Sequence, residues 1–194
     1  MKFRSPAVSL LSIGCLLLLG GCLSQSESDH EFAADITRTQ FGIPHVTAPD
    51  YKGLGYGLGY AFAQDNLCSL SREIVIANGQ SALYLEETRA NIERDIFYTW
   101  YNAEARRRAL LQEQPAEVQD AIAGYAAGYN RYLRETGVDN LHRACAGEPW
   151  VREIDVLDLS AVYNKGNLRG GLANFVHQIV AATPFPPATA DAPP

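Results

Sequence analysis

Gly53-Leu54-Gly55-Tyr56-Gly57-Leu58-Gly59-Tyr60-Ala61-Phe62-Ala63-Gln64-Asp65-Asn66 sets the architecture of this chain. Its glycines alternate as G-x-G-x-G-x-G, whereas a dinucleotide loop needs G-x-G-x-x-G after a strand, and position 60 is Tyr60. At helical spacing, Gly53, Gly57 and Ala61 fall on one stripe, and Gly55, Gly59 and Ala63 on another. A glycine inside a helix costs roughly 0.8–1.0 kcal/mol relative to alanine. Several in one helix therefore need a packing reason: two faces of small residues that let neighbouring backbone close in, with Tyr56, Tyr60 and Phe62 filling the space between them.

Upstream, Ile36–Thr39 and Ile43–Thr47 read as two short strands broken at Phe41-Gly42, with Pro44 at an edge position. Downstream, helical patterns dominate. The glycine-rich helix is expected over about Gly55–Ala77, ended by Gly79. A second is expected over Ile96–Gln112, and a third from Pro115 to about Glu135 with Val118, Ile122, Tyr125, Tyr129 and Leu133 on its inward stripe. Asn140–Trp150 reads as a loop. Asp155 caps a helix through about Asn164, the glycine-rich 165–171 reads as a break, and Leu172–Ala182 forms a last amphipathic stretch. The fold class is mostly α with a small N-terminal β element.

Several motifs carry a resemblance. "RTQFGIPHV" (38–46) and "GLGYGLGYAFAQDN" (53–66), then Asp95–Trp100, Gly124–Leu133 and Gly147–Trp150, resemble the α-subunit region of penicillin-acylase-type N-terminal-nucleophile hydrolases. Within that superfamily the chain is most similar to acyl-homoserine-lactone and aculeacin-type lipopeptide acylases. The resemblance runs in order from about Asp35 to Thr183, so 35–183 is expected as the α-subunit domain. It implies one part of an αββα heterodimer whose larger β subunit begins with a nucleophilic Ser. That serine's own α-amine, with an unperturbed pKa of about 7.7–8.0, acts as its base. A β-subunit backbone amide and an Asn hold the oxyanion.

Before the domain, Met1–Arg4 is a basic n-region and Ala7–Leu19 an apolar h-region, a secretory leader over 1–21 that is short for a membrane span. Leu19-Gly20-Gly21-Cys22 resembles a lipoprotein cleavage box with Cys22 lipidated. A plain signal peptide releasing a soluble periplasmic protein is the alternative. Leu23 after that cysteine favours the outer membrane. Residues 22–34 form a polar tether. The Pro- and Ala-rich 184–194 is a tail, read as the start of an inter-subunit spacer. Without the leader, Cys68 and Cys145 are the remaining cysteines; in an oxidising compartment they are expected as a disulfide, two buried thiols being the alternative. A metal site at these cysteines is not expected.

The net charge of −6 excludes a nucleic-acid footprint, and Arg106-Arg107-Arg108, beside Glu104 and Glu113, reads as a solvated helix face. The resemblance implies scission between Gly and Ser ahead of the nucleophile, and no Gly-Ser or Gly-Thr dipeptide occurs, so no catalytic residue is assigned within this chain. His45, His142 and His177 with Ser69, Ser71 or Ser160 offer no nucleophile elbow, and adjacent Glu86 and Glu87 point apart on a helix. By resemblance, Tyr163, Asn164, Lys165, Asn167 and Leu168 wall the acyl-binding pocket, or else form a helix end against the β subunit. Penicillin G acylases place a calcium-binding Glu near here, where this chain has Arg169 and Gly170, so neither a metal nor another cofactor is expected. His45, Gln64 and Asp65 are expected as buried, hydrogen-bonded architecture.

The reading is therefore an α subunit, inactive alone, of a periplasmic or outer-membrane-anchored enzyme. It would hydrolyse linear N-acyl amides such as long-chain acyl-homoserine lactones, lipopeptides or β-lactam amides. The rival is a non-catalytic helical lipoprotein that binds an amphiphile or a partner protein.

Overall fold

Ile36 and Val46 lie opposite each other in an antiparallel pair, β1 (Asp35–Arg38) and β2 (Pro44–Thr47), whose register also sets Thr37 against His45 and Arg38 against Pro44. The computed structural model to which these elements belong describes residues 32–183. The leader, Cys22, the tether up to Glu31 and the tail 184–194 lie outside the described residues. In the connection 39–43, the Thr39 hydroxyl oxygen accepts from the N–H groups of Phe41 and Ile43, and Gly42 takes a φ of 80° that a side chain would oppose. A hairpin of this size is marginal alone. It is held because Ile36 and Val46 rest on the first helix.

That helix, α1 (Tyr51–Ala77), is followed by α2 (Ser81–Tyr84), α3 (Arg89–Tyr101), α4 (Glu104–Gln112), α5 (Ala116–Thr136), α6 (Val156–Asn167) and α7 (Val176–Ala181). The fold is mostly helical with this one small sheet among the described residues. Among those residues no helix is long and apolar enough to cross a membrane.

Helix α1 begins one turn earlier than its glycine pattern predicts. The Asp50 carboxylate accepts the Gly53 N–H at 2.7 Å, capping a donor that would otherwise be orphaned. Near its middle the helix kinks at Asn66 (φ −140°, ψ 22°). At its end the Gly79 N–H donates to Ile76 O and the Gln80 N–H to Val75 O, a Schellman closure with Gly79 at φ 67°.

The two small-residue stripes face different neighbours. A Cβ on Gly57 would lie 2.4 Å from Val46 Cγ1, on the hairpin side, whereas one on Gly59 would lie 2.1 Å from Tyr125 O, on α5. Helix α5 reciprocates, since a Cβ on Gly128 would lie 2.0 Å from Tyr56 O. Backbone-to-backbone approach on this scale is open only to glycine.

The main core gathers Leu67, Leu70 and Ile74 of α1, Tyr129 and Leu133 of α5, and Val151 and Ile154 before α6. Tyr129 is fully buried, and Ser71 Oγ donates to Leu67 O, so the Tyr129 hydroxyl donates to Ser71 at 2.6 Å. Of the stripe predicted on α5, Ile122 and Tyr125 are half-buried and Val118 stays exposed. Cys68 and Cys145 are bonded to each other with their Cα atoms 5.5 Å apart, which ties the 138–150 loop to α1 just past its kink.

Three expectations fail around α3 and α4. The single helix over 96–112 is two, broken at Asn102-Ala103. Asn102 is buried, and its amide donates to Ala77 O at 2.8 Å and Ala161 O at 3.2 Å, so it serves α1 and α6 instead of continuing the helix. Glu86 and Glu87 lie in the connection between α2 and α3, not on a helix. The Arg106–Arg108 run is not one solvated face either. Arg108 pairs with Glu104 and Arg106 lies over the Trp100 and Tyr101 rings, but Arg107 turns inward to Asn78 Oδ1 (2.9 Å) and Leu157 O (3.3 Å).

Candidate substrate-binding wall at the end of α6

Helix α6 is fixed at its start by a capping box. Asp155 accepts from the N–H groups of Leu157 and Asp158, while Asp158 accepts the Asp155 N–H. The buried Asp158 carboxylate also takes two bonds from Arg152, at 2.7 and 2.8 Å, and one from Asn78 at 2.8 Å. Burial pushes this carboxyl up, but the hydrogen bonds from Arg152 and Asn78 outweigh it and hold it below the usual carboxylate range. The helix therefore has one deeply anchored end from which its other end projects.

At that other end, the predicted break over 165–171 starts later. The helix continues through Asn167, and turns occupy 168–171. The reason is visible in what its last turn touches. Asn164 is buried and donates to Asn102 Oδ1 at 3.4 Å, and Lys165 Nζ reaches Glu73 Oε2 on α1 at 2.5 Å. Leu168 is buried in a second core with Ile76, Phe97 and Tyr98, against which Val176, Ile179 and Val180 pack. These contacts offset the cost of Gly166 inside the helix.

The five residues expected at the acyl wall therefore do not converge. Asn164, Lys165 and Leu168 are committed inward. Tyr163 is 67% exposed, and Asn167, four residues on, is exposed as well, so the two share the outward face. A Cβ on Gly166, Gly170 or Gly171 would meet nothing within 4 Å. The following 3₁₀ turn, Leu172–Phe175, leaves Leu172 and Phe175 exposed. This end of the domain offers an open surface with aromatic and aliphatic side chains and an amide.

No alternative catalytic site assembles among the described residues. Ser71 is committed to Tyr129, Ser160 reaches Arg107 O at 3.4 Å, His142 Nδ1 accepts the Ala144 N–H, and His177 Nδ1 meets Glu93 Oε2 at 2.8 Å. Among those residues no three His, Cys, Asp or Glu side chains gather as a metal ion requires.

His45, Gln64 and Asp65 are exposed, not buried. His45 sits on the outward side of the hairpin because Ile36 and Val46 take the inward one. Gln64 and Asp65 instead receive Arg38, whose guanidinium donates to Gln64 Oε1 (2.9 Å), Asp65 Oδ2 (3.0 Å) and Gly42 O (2.8 Å). The hairpin is thereby clamped beside the kink. Arg38 stands at the head of the first motif, yet nothing in its spacing names its partners.

Comparison with known proteins agrees with this architecture. The family model described as penicillin amidase matches residues 33–181. The acyl-homoserine lactone acylase PvdQ of Pseudomonas fluorescens is 46% identical over 157 residues, which cover 78% of this chain and 20% of that protein. Aculeacin-A acylase of Actinoplanes utahensis is 33% identical over 195 residues, covering 95% of this chain and 25% of that protein. The chain thus spans only about a fifth to a quarter of the length of these curated relatives. A solved structure of a thermostable penicillin G acylase from Alcaligenes faecalis superposes with a TM-score of 0.62 at 23% identity, covering 84% of this chain and 98% of that one. At that identity the likeness is one of fold.

Proposed function

This chain belongs to the penicillin amidase family, and on that premise we propose that it is the α-subunit region of an N-terminal-nucleophile hydrolase acting on linear N-acyl amides. Long-chain acyl-homoserine lactones and related lipopeptide amides are the substrate class. The similarity to an acyl-homoserine lactone acylase, at 46% identity over 78% of the chain, carries this reading. The aculeacin-A acylase similarity over 95% of the chain extends it to lipopeptides.

In this reading the nucleophile, its α-amine base and the oxyanion donors lie on a β subunit. Residues 32–183 supply a rigid frame and one wall of the acyl pocket. The frame is the glycine-packed α1–α5 pair, braced by the bond between Cys68 and Cys145. The wall is the outward face of α6 at Tyr163 and Asn167. Burying an acyl chain there contributes about 0.8 kcal/mol per methylene, so a longer wall selects longer chains. Cleavage separates the carboxylic acid from the amine and consumes one water. The leader over 1–21 supports a periplasmic location for this enzyme, and the lipoprotein-like box at Cys22 supports a lipid anchor in the outer membrane, a soluble periplasmic protein being the alternative.

The test is a full-length expression of the gene that encodes these residues, assayed by mass spectrometry with acyl-homoserine lactones of graded chain length. Release of homoserine lactone and the free fatty acid is the expected result, with residues 1–194 alone inactive. A correctly assembled protein that leaves every chain length intact would overturn the proposal.

A further inference from the structure

Helix α3 carries apolar side chains on two sides, and among the described residues only one of them is packed. Phe97, Tyr98 and Tyr101 pack inward around the second core. Ile92, Ile96 and Trp100, at steps of four, form the opposite stripe, and they are 42%, 53% and 59% exposed. With Ala82 of α2, Asp95 and Thr99 they line an open groove of about 450 Å³, beside which Leu83 is 72% exposed. The groove's one charged member is already spent, because the Asp95 carboxylate accepts the N–H groups of Ser81 and Ala82 at 2.9 and 2.7 Å. What remains is apolar surface edged by Arg106, which lies over the Trp100 and Tyr101 rings.

An apolar stripe on a helix ordinarily faces a packed neighbour, and a tryptophan beside an apolar groove is the usual anchor of an interface. The chain spans only 20% of its acyl-homoserine lactone acylase relative, so a polypeptide about four times as long accounts for the rest of such a protein. We propose that the α2–α3 groove is a docking site for that remainder, the β subunit, which inserts an apolar side chain between Ile96 and Trp100. The inference rests on the α-subunit reading and adds to it a specific surface, remote in sequence from the α6 wall.

The test uses the full-length protein with a photo-crosslinking benzoylphenylalanine at position 96, and at the exposed position 117 as control. Crosslinks from position 96 should map by mass spectrometry to residues beyond 194, with Ile96→Asp lowering the yield of assembled protein at least tenfold. Crosslinks to a second copy of residues 1–194, crosslinks to phospholipid, or an unchanged yield for Ile96→Asp would each overturn the proposal. Amide hydrolysis measured on the same preparations separates the two questions: activity without downstream crosslinks sinks only the docking site, and downstream crosslinks without activity sink only the hydrolase reading.

Discussion

A β-carbon on Gly55 would lie 2.0 Å from the carbonyl oxygen of Ala121, which makes the α1–α5 contact one of backbone on backbone. The contact is mutual, since a β-carbon on Gly124 would lie 2.0 Å from Lys52 O. Gly55→Ala gains roughly 0.8–1.0 kcal/mol of helix propensity but must push two helices apart. Overpacking of this kind ordinarily costs about 1–3 kcal/mol and more where backbone itself must move. A net loss of about 2 kcal/mol or more is expected, read as a fall in Tm of at least about 4 °C. Gly166→Ala is the contrast, because nothing lies within 4 Å of the added carbon; it should raise stability by about 0.5–1 kcal/mol. Equal effects at both positions would refute the packing account.

The bond between Cys68 and Cys145 closes a loop across a sequence separation of 77 and pins the turn-rich 138–150 segment to α1. Replacing both cysteines by serine should cost about 2–4 kcal/mol. The wild-type protein should show the same loss on reduction, and the double variant none. Non-reducing peptide mapping should recover Cys68 joined to Cys145. Free thiols at both positions would sink this prediction.

The glycine stripes disclosed the central packing because helical period and the steric size of glycine are both local properties. The hairpin was legible for the same reason, through Gly42 and Pro44 at its turn. What stayed hidden depends on partners far away in sequence. Asn102 breaks a helix because it bonds to Ala77 and Ala161, and Arg107 leaves solvent because Asn78 and Leu157 receive it. The early start of α1 is different: Asp50 before the helix was a readable cap. At the end of α6, resemblance points to the stretch 163–168 as a candidate, and only burial separates Tyr163 and Asn167 from Asn164, Lys165 and Leu168.

Asp158 gives the domain an acid-sensitive joint. Its carboxyl is held below the ordinary range by Arg152 and Asn78 against the opposing effect of burial, so the folded state binds its proton more weakly than the unfolded chain does. The stability it contributes is complete above the unfolded value, about 3.9. It is lost as pH falls through the lower folded value. Arg152 is half exposed, which tempers the pair, so Asp158→Ala should cost about 2–3 kcal/mol at neutral pH. Denaturant titrations should show that the difference between wild type and Asp158→Asn shrinks below pH 4; a constant difference down to pH 2 would contradict the assignment.

Cys22→Ala tests the address. If the cysteine carries the lipid, the variant should move from the membrane fraction to the soluble periplasm, because acyl chains at about 0.8 kcal/mol per methylene supply the anchoring. Hydrolysis of soluble substrates should be unchanged, the residue being outside the domain. Unaltered fractionation would leave a plain signal peptide as the reading of residues 1–21.

The five residues of the α6 stretch should divide into two classes when changed one at a time in the full-length enzyme. Tyr163 is largely exposed and Asn167 lies on its face, so Tyr163→Ala and Asn167→Ala should leave Tm within about 1–2 °C. If they wall the acyl pocket, they should lower kcat/KM for long acyl chains about tenfold or more while affecting short chains little, since about 0.8 kcal/mol is lost per uncovered methylene. Leu168 is buried against Ile76, Phe97 and Tyr98, so Leu168→Ala should cost about 2–4 kcal/mol of stability. Lys165→Met, which removes the charge facing Glu73, should act through the helix end and weaken all chain lengths alike. A Tyr163→Ala enzyme with an unchanged chain-length profile would show that this face meets protein instead of substrate.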